Sequence, residues 1–227
     1  LLVLLALFVT TAALPPKATA LDPDVPLAQV AFRIWDRRDG LPSDVLGPLA
    51  RTPDGMLWIG SDSGLIAMDG LAIVRYTTAN TPALPADAVT ALAVDGDGLW
   101  IGTARGLAHW KDGVFTAFGP DSAAPSARIG SIVVGRAGGL WLCTDIGVFE
   151  RKDGHFAPLG GSGNKPSYLC SSLVELTDGS LVLSCGDVVP YRDGNFGAPL
   201  DAKDRASDVV LGPEGAVWFG TNAAGVF

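Results

Sequence analysis

Apolar residues in this chain fall in short runs that alternate with polar ones, as in Val89-Thr90-Ala91-Leu92-Ala93-Val94, and each run is closed by turn residues. Alternation of period two over so short a stretch marks β-strands, and no segment beyond residue 20 sustains a helical period. The strands also repeat. Leu57-Trp58-Ile59-Gly60 returns as Leu99-Trp100-Ile101-Gly102, weakens to Leu140-Trp141-Leu142-Cys143 and Leu181-Val182-Leu183-Ser184, and reappears as Val217-Trp218-Phe219-Gly220. A spacing of about forty residues belongs to four-stranded propeller blades. The unit around Val182 has lost its tryptophan and one residue.

Two families of turn punctuate each unit. One precedes the tryptophan strand at Asp54-Gly55, Asp97-Gly98 and Asp178-Gly179, with Gly138-Gly139 and Glu214-Gly215 in the same place. The other follows it at Asp69-Gly70, Asp112-Gly113, Asp153-Gly154 and Asp193-Gly194. Asp-Gly supplies the positive φ angles of tight hairpins. With the tryptophan strand second of four, both families lie on one face of the disc. The other face carries Ser61-Asp62-Ser63, Thr103-Ala104-Arg105, Thr144-Asp145-Ile146, Gly186-Asp187, Thr221-Asn222-Ala223 and the links between blades.

Recurrence on one strand assigns Trp58, Trp100, Trp141 and Trp218 to packing between sheets. Trp35 and Trp110 fall outside that register and are expected to be exposed.

At the start of the chain, an apolar run ends in Pro15-Pro16-Lys17 and the small residues Ala18-Thr19-Ala20. Residues 1–20 therefore read as a secretory signal peptide lacking its upstream end, and 21–227 as the mature region. The run is too short for a membrane span of about 20 residues. Lys and Arg number 16 against 24 Asp and Glu, a net charge of −8. Such a balance disfavours nucleic acid, which demands a basic stripe. In an oxidising compartment the three cysteines, Cys143, Cys170 and Cys185, leave one unpaired or joined to another chain. Cys170 and Cys185 flank the Asp178-Gly179 turn near cross-strand register, compatible with a disulfide or with the commoner small buried thiols.

Trp35-Asp36-Arg37-Arg38-Asp39-Gly40-Leu41-Pro42-Ser43, then Thr52-Pro53-Asp54-Gly55-Met56-Leu57-Trp58-Ile59-Gly60-Ser61-Asp62-Ser63-Gly64-Leu65 and Asp69-Gly70, closely resemble the two-component regulator propeller repeat. Asp97-Gly98-Leu99-Trp100-Ile101-Gly102-Thr103-Ala104-Arg105-Gly106-Leu107 is a second copy. The resemblance implies a periplasmic sensor region. In such proteins a propeller, typically seven-bladed, precedes a β-sandwich, a transmembrane helix and a cytoplasmic histidine kinase or diguanylate cyclase. The fold expected is an all-β propeller of four-stranded antiparallel blades, with four complete blades and a partial fifth, as a fragment of a larger ring. An open arc or a strained ring would result, with residues 29–35 available as an outer strand for the last blade.

The chemistry expected is binding. Asp62, Arg105, Arg128, Asp145, Asp187 and Asn222 project from the face opposite the Asp-Gly turns and are the candidate ligand residues. The ligand is a small solute or saccharide, and the parent receptor is anchored in the membrane downstream and able to form a homodimer. No catalytic residue, metal or cofactor is expected. Asp95-Gly96-Asp97-Gly98 begins like a calcium loop, but Leu99 and Gly106 stand where side-chain oxygens are needed, so it reads as a turn. The glycine-rich stretch 160–166 lacks a phosphate-binding Lys-Ser or Lys-Thr pair and reads as a flexible loop. His109 and His155 are too isolated for a metal cluster. A secreted propeller lyase or hydrolase and a dimerisation scaffold are the alternatives.

Overall fold

The computed structural model describes residues 34–42, 45–136, 138–160, 162–163, 170–200, 205–212, 215–221 and 226. The expected leader, Asn222 and most of the proposed closing segment, 29–33, lie outside them. The chain divides into Leu1–Trp35 and Asp36–Phe227, and the second unit is the subject here.

Alternating apolar positions produce four full antiparallel sheets and a two-stranded fifth, the propeller anticipated from the repeat. Blade 1 is β1 (Leu46–Arg51), β2 (Leu57–Ser61), β3 (Gly64–Met68) and β4 (Ile73–Tyr76). Blade 2 is β5 (Val89–Asp95), β6 (Gly98–Thr103), β7 (Gly106–Lys111) and β8 (Val114–Phe118). Blade 3 is β9 (Ile129–Val134), β10 (Leu140–Thr144), β11 (Gly147–Lys152) and β12 (His155–Pro158). Blade 4 holds β13 (Ser162–Gly163), β14 (Ser172–Glu175), β15 (Leu181–Cys185), β16 (Asp187–Arg192) and β17 (Asn195–Phe196). Blade 5 is β18 (Ala206–Leu211) and β19 (Val217–Thr221). The first strands β1, β5, β9, β14 and β18 neighbour one another in that order and form the inner wall. One expectation is corrected: Ser162 and Gly163, read as loop, pair in parallel with β17 and give blade 4 a fifth strand.

The turns take the predicted chemistry. Asp112, Asp153 and Asp193 each sit at φ 50°, followed by Gly113, Gly154 and Gly194 at 80°, 85° and 78°. Two successive positive φ angles make the type I′ corner that matches strand twist. In blade 2 the first corner lies one residue earlier than expected, because Asp95 pairs with Gly98 and Gly96-Asp97 turn the chain. At the opposite face, a hydroxyl at the end of each second strand closes the hairpin. Ser61, Thr103 and Thr144 donate to the carbonyls of Gly64, Gly106 and Gly147 at 2.8, 2.9 and 2.6 Å. Each hydroxyl also accepts from the loop N–H of Ser63, Arg105 or Ile146.

Packing between blades follows one rule. The tryptophan of a second strand meets a long side chain from the third strand of the next blade. Trp58 lies 4.8 Å from Trp110 between ring centroids, the Arg151 guanidinium carbon is 5.5 Å from the Trp100 ring, and Tyr191 packs into the cluster that holds Trp141. Trp110, Arg151 and Tyr191 occupy one register position, opposite Leu99, Leu140 and Leu181. Trp110 is therefore half-buried in an interface rather than exposed, and Trp35 is half-buried too. Trp58, Trp100 and Trp141 are 1%, 3% and 8% exposed, whereas Trp218 is 48% exposed, with no following third strand against it among the described residues. The glycine ending the tetrad serves the same contact. A Cβ at Gly102 would stand 2.8 Å from Ile129 Cβ, so the inner strand of blade 3 approaches only because that atom is absent.

Blade 4 departs from this pattern where its sequence is one residue short. Cys185 pairs with Asp187 across Gly186, and Cys185 occupies the place of Thr103 and Thr144. There the hydroxyl staple is replaced by a disulfide from Cys185 to Cys170. Cys143 stays a free thiol in the same apolar cluster, and burial pushes its pKa to about 12. It is thus protonated and unreactive at neutral pH.

Two outcomes are expected in urea unfolding. Trp100→Ala should cost about 3–5 kcal/mol as a large buried aromatic, and Trp218→Ala less than half of that. The disulfide closes a loop with a sequence separation of 15, and its removal in a Cys170→Ala/Cys185→Ala double variant should cost about 3 kcal/mol. Equal losses for the two tryptophans would contradict the interface rule.

Candidate functional site

The inner strands do not run straight. Register slips occur between Leu46 and Leu49 in β1, between Val89 and Ala91 in β5, opposite Cys143 and Thr144 in β9, and between Ala206 and Ser207-Asp208 in β18. A bulge leaves an extra residue unpaired and re-aims its side chain. The residues at these slips are Pro48, Thr90, Gly130 and Ser207, and Ser171 stands at the matching place ahead of β14. All five line a single cavity of about 480 Å³.

The wall of that cavity repeats as well. Ala91, Ser131, Ser172 and Asp208 follow the slip residues on successive strands, and Leu92 and Ile132 complete it. Its volume suits a small solute. Hydroxyls from Thr90, Ser131, Ser171, Ser172 and Ser207 dominate the polar surface, and Asp208 is the one charged residue among the described residues of the wall. Some hydroxyl protons are already spent on the neighbouring blade. Thr90 donates to the Ile129 carbonyl at 2.6 Å and Ser171 to the Ser207 carbonyl at 2.7 Å. Their oxygens keep lone pairs able to accept a further hydrogen bond. Asp208 accepts the Val209 N–H at 2.9 Å through Oδ1 and has no ion pair among the described residues.

A second pocket of about 310 Å³ adjoins the first, since Gly130 and Ser171 line both. Its other residues are Arg128, Thr144, Asp145 and Cys170. Backbone and side chain cooperate here. Asp145 N–H donates to the Arg128 carbonyl at 3.2 Å, and the Asp145 carboxylate accepts the Arg128 N–H at 3.1 Å. That clamp fixes the strand that delivers the Arg128 side chain, whose Nη1 lies 3.8 Å from where a Gly130 Cβ would begin.

Of the residues proposed from sequence, Arg128 and Asp145 are brought together at a pocket. Asp62, Arg105 and Asp187 are exposed on the predicted loop face but line neither cavity, and Asn222 lies outside the described residues. The inner-wall hydroxyls and Asp208 were missed. The usable sign was the hydroxyl or small residue opening each first strand, at Thr90, Gly130, Ser171 and Ser207.

The histidines have separate fates. His155 is exposed, while His109 stacks on Trp100 at 4.3 Å between ring centroids. Burial lowers the His109 pKa, with Asp95 opposing and Lys111 and Arg151 adding to the shift. His109 is therefore a neutral packing element of the interface between blades 2 and 3.

Comparison with known proteins agrees with this geometry. Residues 83–105 match the two component regulator propeller family. No curated protein matches the chain. Among solved structures, the extracellular domain of BT4673 from B. thetaiotaomicron, described as a one-component system, is similar at 17% identity, with a TM-score of 0.66 over 82% of this chain. A catalytically inactive virginiamycin B lyase from Staphylococcus aureus gives 14% and 0.62 over 79%. PorZ, a surface component of the type-IX secretion system of Porphyromonas gingivalis, gives 16% and 0.61 over 80%. The chain spans 27%, 64% and 32% of those three chains, respectively. At these identities the likenesses speak to the fold alone. The chain is similar to the two-component regulator propeller repeat over residues 83–105, and its fold is that of a β-propeller.

Proposed function

We propose that this chain is the extracytoplasmic sensing region of a membrane-bound signalling receptor, with a small solute bound at the inner-strand cavity. The observation that carries the reading is the repeated register slip. Four inner strands slip, and the residues at those places, Pro48, Thr90, Gly130 and Ser207, line one volume together with Ser171, which packing alone does not require. Recurrence of the two-component regulator repeat supports a receptor as parent, and the leader-like sequence at residues 1–20 supports a periplasmic location. The output, a histidine kinase or a diguanylate cyclase, belongs to the parent. Binding would act on it by favouring one of two arrangements of the intact receptor.

Thermal unfolding of the purified chain, with a panel of saccharides, amino acids, short peptides and other small metabolites, tests the reading. A ligand at one hundred times its Kd adds about 2.7 kcal/mol, so at least one class should raise the Tm by several degrees. Ser131→Trp, which fills the cavity from one wall, should abolish the shift while leaving the unliganded Tm within a few degrees. No shift with any class, or shifts that survive Ser131→Trp, would refute the cavity as the sensing site.

A further inference from the structure

We infer that the two adjoining cavities form one site for a zwitterionic solute of amino-acid or short-peptide type, its ammonium group at Asp208 and its carboxylate at Arg128. The inference rests on the sensing reading above and narrows it to a ligand class.

Charge placement carries the argument. Ala91, Ser131, Ser172 and Asp208 are register equivalents on four inner strands, facing Gly102, Cys143, Ser184 and Gly220 on the second strands. Three of the four are small and neutral. A carboxylate at the fourth makes the wall acidic on one side only. It is not consumed by folding: one oxygen accepts a backbone N–H, and no cation pairs with it among the described residues.

Arg128 is the counterpart across the site. Its guanidinium makes neither an ion pair nor a side-chain hydrogen bond among the described residues. It reaches Gly130, which the two cavities share, and the missing side chain there leaves the passage between them open. Asp145, the nearest acid in that pocket, is engaged with the Arg128 backbone N–H. A guanidinium fork is suited to a carboxylate, which it binds through two parallel N–H···O contacts. Ser131 and Ser172 line the cavity that holds Asp208, and Ser171 lines both cavities, with acceptor lone pairs and short side chains that suit the amide groups of a peptide. A neutral sugar would satisfy the hydroxyls but would leave both charges without partners, which lowers the affinity such a site can reach. A simple anion or cation would use one end only.

Isothermal titration of the full chain with a set of free dipeptides bearing small, aliphatic, aromatic and polar side chains tests this. The same peptides N-acetylated or C-amidated, and maltose as a neutral control, complete the panel. At least one free dipeptide should bind, with either cap weakening it tenfold or more. Asp208→Asn should erase the preference for a free amine while keeping that for a free carboxylate, and Arg128→Gln the reverse. Both residues are exposed, so the variants should unfold at the temperature of the parent chain. Equal binding of free and capped peptides would overturn the inference, as would binding of maltose with no dipeptide bound; in the latter case the cavity reading stands if Ser131→Trp removes maltose binding. No binding by any dipeptide overturns it as well, and the wider panel then decides the sensing reading separately.

Discussion

No blade of this protein can bury its own tryptophan alone. In blades 1 to 3 the second-strand indole reaches past its sheet. Tyr76, His109 and Phe118 cover it from its own blade in blades 1 and 2, and Trp110, Arg151 or Tyr191 of the following blade's third strand covers the side that faces the neighbour. Stability in such an array is a sum of nearest-neighbour contacts, and each contact fixes the distance and angle between two sheets. The inner wall inherits its geometry from those wedges. A cavity bounded by five strands of five different sheets exists because each sheet is held by its neighbour.

Within that frame the two faces differ in kind. Where Asp-Gly corners close the hairpins, the backbone itself solves the turn through positive φ angles. On the other face a side-chain hydroxyl solves it, and the loops can differ in sequence while keeping their closure. In blade 4 the hydroxyl is gone, and the Cys170–Cys185 bridge ties the end of the second strand to the segment ahead of the first instead. The bridge stands directly before Ser171, which lines both cavities, so a covalent link secures the part of the wall where the repeat is weakest.

How much of this was legible depends on whether a feature is periodic. The strands, the order of the four in each blade and the separation of turn types follow from alternation and from Asp-Gly recurrence. Trp110 was misread because its position is shared by Arg151 and Tyr191, residues so unlike in chemistry that no pattern links them until the strands are paired. Trp218 was grouped with the buried indoles because the tetrad records a strand and not its neighbour. The cavity residues were hidden for another reason. A single-residue slip reverses which face a side chain takes, and nothing in the alternation of Val89-Thr90-Ala91 announces it. Arg128 and Asp145 line the second pocket, and the loop face they share follows from topology alone.

The register slips have a consequence for how such a protein can diverge. Residues at the slip leave the strand ladder and line the cavity, so their side chains stand outside the alternation that builds the blade. Exchanging Asp208, which follows the slip at Ser207, for the serine or alanine found at its equivalents would remove a carboxylate from the cavity wall. Duplicated blades thereby offer a set of independently variable letters around a fixed frame, and descendants of one ancestral repeat can acquire new chemical tastes by single changes at those sites.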